Sequence, residues 1–207
     1  MAVNGKFITF EGAEGSGKST QINFAHEYLK SKNFSALLLR EPGGVRVSEK
    51  IRVILLDVAN EKMCKESETL LYMAARAQLV VEVVEPALKQ GTIILCDRFL
   101  DSTIVYQGYG CGVDLKFIKS VGQFATRNIK PDLTFLFDID APDGLARINR
   151  AKDRIEQRGF DYHNRVRKGY LALAKQEPKR IKLISGTKPK EEIQQIVRRD
   201  LDKLLKI

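Results

Sequence analysis

Cysteine is scarce in this chain: Cys64, Cys96 and Cys111 are the only three among 207 residues. Their odd number and lack of metal-ligand spacing speak against a disulfide framework or a zinc module, and suit free thiols in a reducing compartment. No apolar run is long enough to cross a bilayer. The opening Met1-Ala2-Val3-Asn4-Gly5-Lys6 enters the first predicted strand at once and leaves no room for a signal peptide. A cytoplasmic protein without a membrane partner is expected. No segment is repetitive or of low complexity. The remaining composition, 43% hydrophobic and 29% charged, is that of an ordinary globular chain, and its length suits one domain over 1–207.

Charge of one sign is in excess. The net charge is +9, and much of the surplus lies in 147–168 and 175–190. A nucleic-acid partner is one source of such a surplus, but neither the aromatic-rich strand motif of RNA binders nor a zinc-finger spacing occurs. Capture of phosphate ligands accounts for the charge without nucleic acid.

The strongest motif is Gly12-Ala13-Glu14-Gly15-Ser16-Gly17-Lys18-Ser19 behind the apolar run Phe7-Ile8-Thr9-Phe10. It is a complete phosphate-binding loop between a predicted strand and helix. Its glycines let successive backbone N–H groups line a concave nest at a helix N-terminus. Lys18 is then expected on the β/γ phosphates of a nucleoside triphosphate and Ser19 on Mg²⁺. The Asn-Lys-x-Asp string of a guanine-reading switch is missing, which disfavours a GTPase.

Hydrophobic runs predict strands over 6–11, 36–40, 92–96, 133–137 and 180–184. Helical patterns alternate with them at 18–31, 47–58, 67–89 with a kink or interruption at Pro86, 115–126, 143–149, 161–175 and 189–205. That order implies a parallel sheet covered on both faces, with ligands at the carboxyl ends of its strands. Two apolar runs end in an acid, Asp97 and Asp138, and either suits a metal-binding carboxylate; Asp97 is favoured because Arg98 follows it. Arg40-Glu41-Pro42-Gly43-Gly44 predicts a tight reversal able to present Arg40 or Glu41 to a ligand. Tyr72 and Arg76 share a helix face and suit either a base-binding pair or a core stripe. The arginine-dense 147–159, ending in Gly159, suits either a lid over the triphosphate or a solvated helix.

These motifs, with Ala74-Ala75-Arg76, Ser102-Thr103, Tyr106-Gln107-Gly108 and Asp153-Arg154-Ile155-Glu156, resemble the thymidylate kinase family in order and over essentially the whole chain. The resemblance implies an α/β P-loop nucleoside-monophosphate kinase fold, with a five-stranded parallel sheet and helices on both faces, assembled as a homodimer. It implies phosphorylation of dTMP to dTDP with ATP and Mg²⁺, a step toward dTTP. Tyr72 would stack on thymine, Arg76 bond its edge, Thr103 contact the ring-nitrogen side and Tyr106 exclude a 2′-hydroxyl. Glu14 would lie near the 3′-hydroxyl, and Arg40, Arg52 and Arg98 near the 5′-phosphate. Ser19 and Asp97 would hold the metal. Gly15 stands where one branch of the family carries a catalytic arginine, so this chain resembles the bacterial branch, whose lid supplies it: Arg150 and Arg154, with Arg147 a third candidate. Three departures stand out: Tyr72 where phenylalanine is more usual, Cys111 where an arginine is expected, and a short lid. The competing readings are a P-loop kinase for another nucleoside monophosphate and an ATP-dependent nucleic-acid-binding module.

Overall fold

Five apolar segments form strands β1 (Phe7–Gly12), β2 (Ala36–Arg40), β3 (Ile93–Asp97), β4 (Leu133–Asp138) and β5 (Ile181–Ser185). They pair in parallel in the order β2-β3-β1-β4-β5. This computed structural model describes residues 5–207; the expected direct entry of residues 1–4 into β1 lies outside the described residues. The fold class expected from the sequence is the one found.

Alternation along the strands sends side chains into two layers. Ile8, Phe10, Phe135 and Phe137 pack with Ile22, Ala25 and Leu29 of α1 (Lys18–Ser31) and with Ile193, Val197 and Leu201 of α9 (Lys190–Leu205). The opposite face is covered by α3 (Lys65–Leu79) and α8 (Phe160–Gln176) through Leu79, Val166 and Tyr170, joined by Phe99 from the chain after β3. Helices α2 (Arg46–Leu56) and α6 (Leu115–Thr126) flank α3. The chain leaves β1 toward β2 and leaves β4 toward β5, on opposite sides of the sheet centre. A crevice therefore opens at the carboxyl ends of β1 and β4.

The predicted 67–89 helix is present and is interrupted just ahead of Pro86. α3 continues through a π-helical turn, Val80–Val84, into α4 (Glu85–Lys89), with Pro86 in the first turn of α4. Pro86 has no N–H to return to the preceding turn, and the wider turn ahead of it relieves the ring's clash. One element has no counterpart in the predicted order: α5 (Leu100–Thr103) runs into a π-helical segment, Ile104–Gly110. Nearly every residue of it is buried, so it carries no amphipathic period, and its β-branched residues and glycines disguise it further. The helix expected at 143–149 is α7 (Ala141–Ala146).

Candidate active site

The loop from Gly12 to Ser19 turns through left-handed backbone at Gly15, where φ is 67°. A Cβ there would strike the Gly144 carbonyl oxygen, and one on Gly144 would strike the Glu14 carbonyl, so glycine on both sides lets the loop lie against α7. The N-terminus of α1 has neither a side-chain cap nor an acid in its first turn. Its N–H groups and dipole therefore face the loop without an internal anion, as a phosphate site requires. Lys18 is folded back, its Nζ donating to the carbonyls of Gly12 at 2.9 Å and Ala13 at 2.7 Å. Burial, then repulsion from Arg98, pushes the Lys18 amine down to about 8.

The two candidate metal carboxylates separate clearly. Ser19 Oγ donates to Asp97 Oδ2 at 3.3 Å, and the other oxygen of Asp97 is buried without a partner. Asp138 is instead forked by Arg167 at 2.7 and 2.9 Å. A hydroxyl and an orphaned carboxylate oxygen fit a hard cation. Among the described residues no cluster of three or more His, Cys, Asp or Glu side chains forms a closed cage. Mg²⁺, which keeps water and phosphate ligands, suits such an incomplete set.

Next to the phosphate loop, Arg98 donates to Glu14 at 2.9 Å and to the Gly12 carbonyl at 3.1 Å, and lies over the Tyr106 ring. Tyr106 donates its hydroxyl to the Glu14 carboxylate at 2.7 Å. Burial alone would raise the Glu14 carboxyl, but Arg98, Lys18 and Tyr106 hold it below the ordinary carboxylate range. Further along, Arg76 is buried and donates to Glu41 at 2.7 Å, to Thr103 Oγ1 at 3.0 Å and to the Phe99 carbonyl at 3.0 Å. Arg52 donates to the Pro42 carbonyl at 2.9 Å, and Arg40 is forked on Glu49 at the rim. A cavity of about 340 Å³ joins these groups. Its wall includes Lys18, Ser19 and Asp97 together with Tyr72, Arg76 and Thr103, and Glu14, Arg98 and Tyr106 are on it as well.

The arginine-rich segment is divided. Arg147 donates to the carbonyls of Gly15 at 3.3 Å and Gly186 at 3.2 Å, beside the phosphate loop. Arg150 lines the cavity and is paired with Glu156 at 2.7 and 2.8 Å. Arg154 does not face the cavity as expected. It is buried, donates to the Leu55 carbonyl at 2.9 Å, and lies 2.7 Å from Glu68 as an ion pair. Its neighbours Asp153, Ile155 and Glu156 line the cavity, and Arg154 points the other way, to Glu68 and the Leu55 carbonyl.

A family model described as thymidylate kinase matches residues 10–197. The thymidylate kinase of Pelobacter propionicus is 46% identical over 201 residues, covering 93% of this chain and 92% of that protein. That of Desulfovibrio desulfuricans is 43% identical over 196 residues, covering 90% of each. The crystal structure of thymidylate kinase from Ehrlichia chaffeensis superposes with a TM-score of 0.77 at 34% identity, covering 98% of this chain and 99% of that one. The chain belongs to the thymidylate kinase family.

Cys111, which stands where an arginine is expected, has a guanidinium from another part of the chain beside it. Arg158 places one nitrogen 2.9 Å from Cys111 Sγ and another 2.6 Å from Glu68. A second group escaped the sequence reading. Glu11, the acid just ahead of the phosphate loop, is fully buried and accepts from Phe99 N at 2.7 Å, Ser102 Oγ at 2.6 Å and Tyr170 OH at 2.8 Å. It thereby fixes the turn carrying Asp97 and Arg98, where Arg98 sits at φ 70°. Its one sequence signal is a carboxylate ending an otherwise apolar strand.

Burial, reinforced by nearby Asp101, raises the Glu11 carboxyl to about 7. Folding thus favours the protonated form: its contribution to stability is complete below about 4.5 and is lost as pH rises through about 7, by at most about 3 kcal/mol. Glu11→Gln should remove this component. The Tm difference between variant and parent, followed by thermal scans from pH 5 to 8, is expected to grow in the variant's favour as pH rises. A constant difference would contradict the assignment.

Proposed function

We propose that the cavity holds the two nucleotides end to end, ATP on the loop from Gly12 to Ser19 and dTMP toward Tyr72, with their phosphates meeting beside Arg98. The enzyme phosphorylates dTMP to dTDP. The observation that carries this reading is that Lys18, Arg98 and Arg76 line one and the same cavity. Tyr72 stacks on thymine, Arg76 and Thr103 bond its edge, and Tyr106 fills the space a 2′-hydroxyl would need. Glu14 meets the 3′-hydroxyl side. Arg52 and Arg98, with Arg40 from the rim, hold the 5′-phosphate.

Ser19 and Asp97 are the residues that would hold Mg²⁺, which when bound neutralises phosphate charge and orients the triphosphate. The acceptor is already an anionic phosphate, so no strong general base is needed. Alignment and charge neutralisation by Lys18, Arg98 and the lid do the chemistry.

Arg150, with Arg147 behind it, is the lid group best supported for the transferring phosphoryl. Arg150→Ala should lower kcat by about a hundredfold at nearly unchanged ATP KM, with a smaller fall in Tm than Arg154→Ala, because Arg150 is itself exposed and Glu156 keeps the Asp153 N–H. Arg154→Ala should instead lower Tm by roughly 6–12 °C, because it takes a partner from a buried carboxylate. Steady-state kinetics beside thermal scans separate the two; a normal kcat for Arg150→Ala removes the lid assignment.

A homodimer is supported by the resemblance and by exposed apolar side chains on neighbouring helices, Leu70 of α3 and Phe117 and Phe124 of α6. A cytoplasmic location is supported by three unpaired cysteines. No helix among the described residues is long and apolar enough to cross a membrane.

The deciding experiment is a coupled ADP-release assay over a panel of nucleoside monophosphates. dTMP should be the best acceptor, dUMP weaker by about 10–200-fold in kcat/KM for want of one methyl group, and ribonucleotides weaker still. Preference for AMP, GMP or CMP would leave a P-loop kinase but sink the thymidylate reading.

A further inference from the structure

Glu68 is the least solvated carboxylate of the lid region, at 0% exposure, and the residue assignments above give it no task. Its Oε2 lies 2.7 Å from the Arg154 guanidinium and 2.6 Å from that of Arg158, while Oε1 accepts from Gln107 at 2.9 Å. Arg154 is pinned in turn to the Leu55 carbonyl, and Arg158 lies 4.6 Å over the Tyr162 ring. The turn from Arg154 to Arg158 is therefore riveted to α3. Between the two arginines, Glu156 grips Arg150 through both oxygens and also accepts from Asp153 N at 3.0 Å. The lid arginine thus hangs from a turn whose anchor is Glu68.

Glu68 is also one helical turn before Tyr72 and two before Arg76, on the helix that carries the proposed base pocket. Burying a carboxylate between two guanidinium groups gains little stability over apolar packing; what it fixes is relative position. We propose that Glu68 is a positioning residue that couples the base pocket to the lid, passing occupancy of the Tyr72 and Arg76 side to the placement of Arg150. Two lid states are involved: Arg150 on Glu156, as in this structure, and Arg150 on the transferring phosphoryl. Docking of the base biases the second through α3 and the Glu68 ion pairs. This rests on the acceptor site proposed above.

The test compares the affinity of a non-hydrolysable ATP analogue with Mg²⁺, with and without saturating dTMP, in the full-length parent, Glu68→Gln and Arg158→Met, by calorimetry. In the parent, dTMP should tighten the analogue about fivefold or more. In Glu68→Gln the ratio should fall to within about twofold of unity, with kcat lower by about tenfold or more and dTMP KM little changed. Arg158→Met keeps the Arg154 pair and should lose part of the coupling, so it carries the test if Glu68→Gln folds poorly. Absence of coupling in the parent, or full coupling in a folded Glu68→Gln or in Arg158→Met, overturns the proposal. Tyr72→Ala is the separate control: an unchanged dTMP KM there would sink the acceptor-site assignment itself, whatever the Glu68 result.

Discussion

Lys18→Met is expected to lower kcat/KM by about a hundred- to a thousandfold while leaving the protein as stable as its parent or more so. The activity loss is that of one preorganised charge donor at the transferring phosphate. The stability effect has the opposite sign from ordinary intuition about a buried, hydrogen-bonded lysine. Burial and Arg98 lower its pKa from 10.5 to about 8, so at neutral pH the fold carries a charge it disfavours by about 3 kcal/mol relative to the unfolded chain. Methionine keeps the apolar stem and removes that penalty, against the loss of the bonds to the Gly12 and Ala13 carbonyls. The sign of the linkage sets a window: the penalty is full below pH 8 and fades as pH rises toward 10.5. Thermal scans at pH 7 and 9.5 with parallel ADP-release assays check both parts. Near-parental turnover would remove Lys18 from the mechanism, and a large fall in Tm would show that it serves the fold.

Arg76→Ala is expected to be the most destabilising substitution in the acceptor pocket, by roughly 3–5 kcal/mol, because it strands the buried Glu41 carboxylate. One oxygen of Glu41 already lacks a partner. Losing the Arg76 bond at 2.7 Å leaves the other uncompensated too. For a domain whose whole stability is about 5–15 kcal/mol, that amounts to a Tm shift of roughly 6–20 °C. Burial raises the Glu41 carboxyl above the ordinary range, so the stranded group can take up a proton, and the loss should be smaller at pH 5 than at pH 8. A raised dTMP KM in this variant alone would therefore mix base recognition with a loosened pocket. The paired Glu41→Gln, Arg76→Met variant removes the stranded charge and should recover much of the Tm while keeping the raised dTMP KM and an unchanged ATP KM. Recovery of dTMP KM together with Tm would mean that Arg76 holds the pocket wall and does not touch the base.

The sheet, the phosphate loop and the order of the motifs can be read from the chain alone. The five strands are local apolar runs, and the loop at 12–19 is a local string whose backbone conformation follows from its own glycines. Each is decided by residues adjacent in the chain, which is why pattern and spacing were enough. Family order also placed Tyr72, Arg76, Arg98 and Tyr106 among the expected acceptor residues, and all of them line one cavity. Tertiary structure alone decided between competing partners. Asp97 is left with a free oxygen and Asp138 is not, because Arg167, 29 residues further along, reaches only the latter. Arg150 faces the cavity while Arg154 turns inward, because Glu68, 86 residues earlier in the sequence, offers a charge only after folding. The helix at Leu100–Gly110 stayed hidden because burial on every side erases periodicity. Local chemistry writes elements and motifs, but the pairing of charges in the interior depends on which side chains the fold brings within reach.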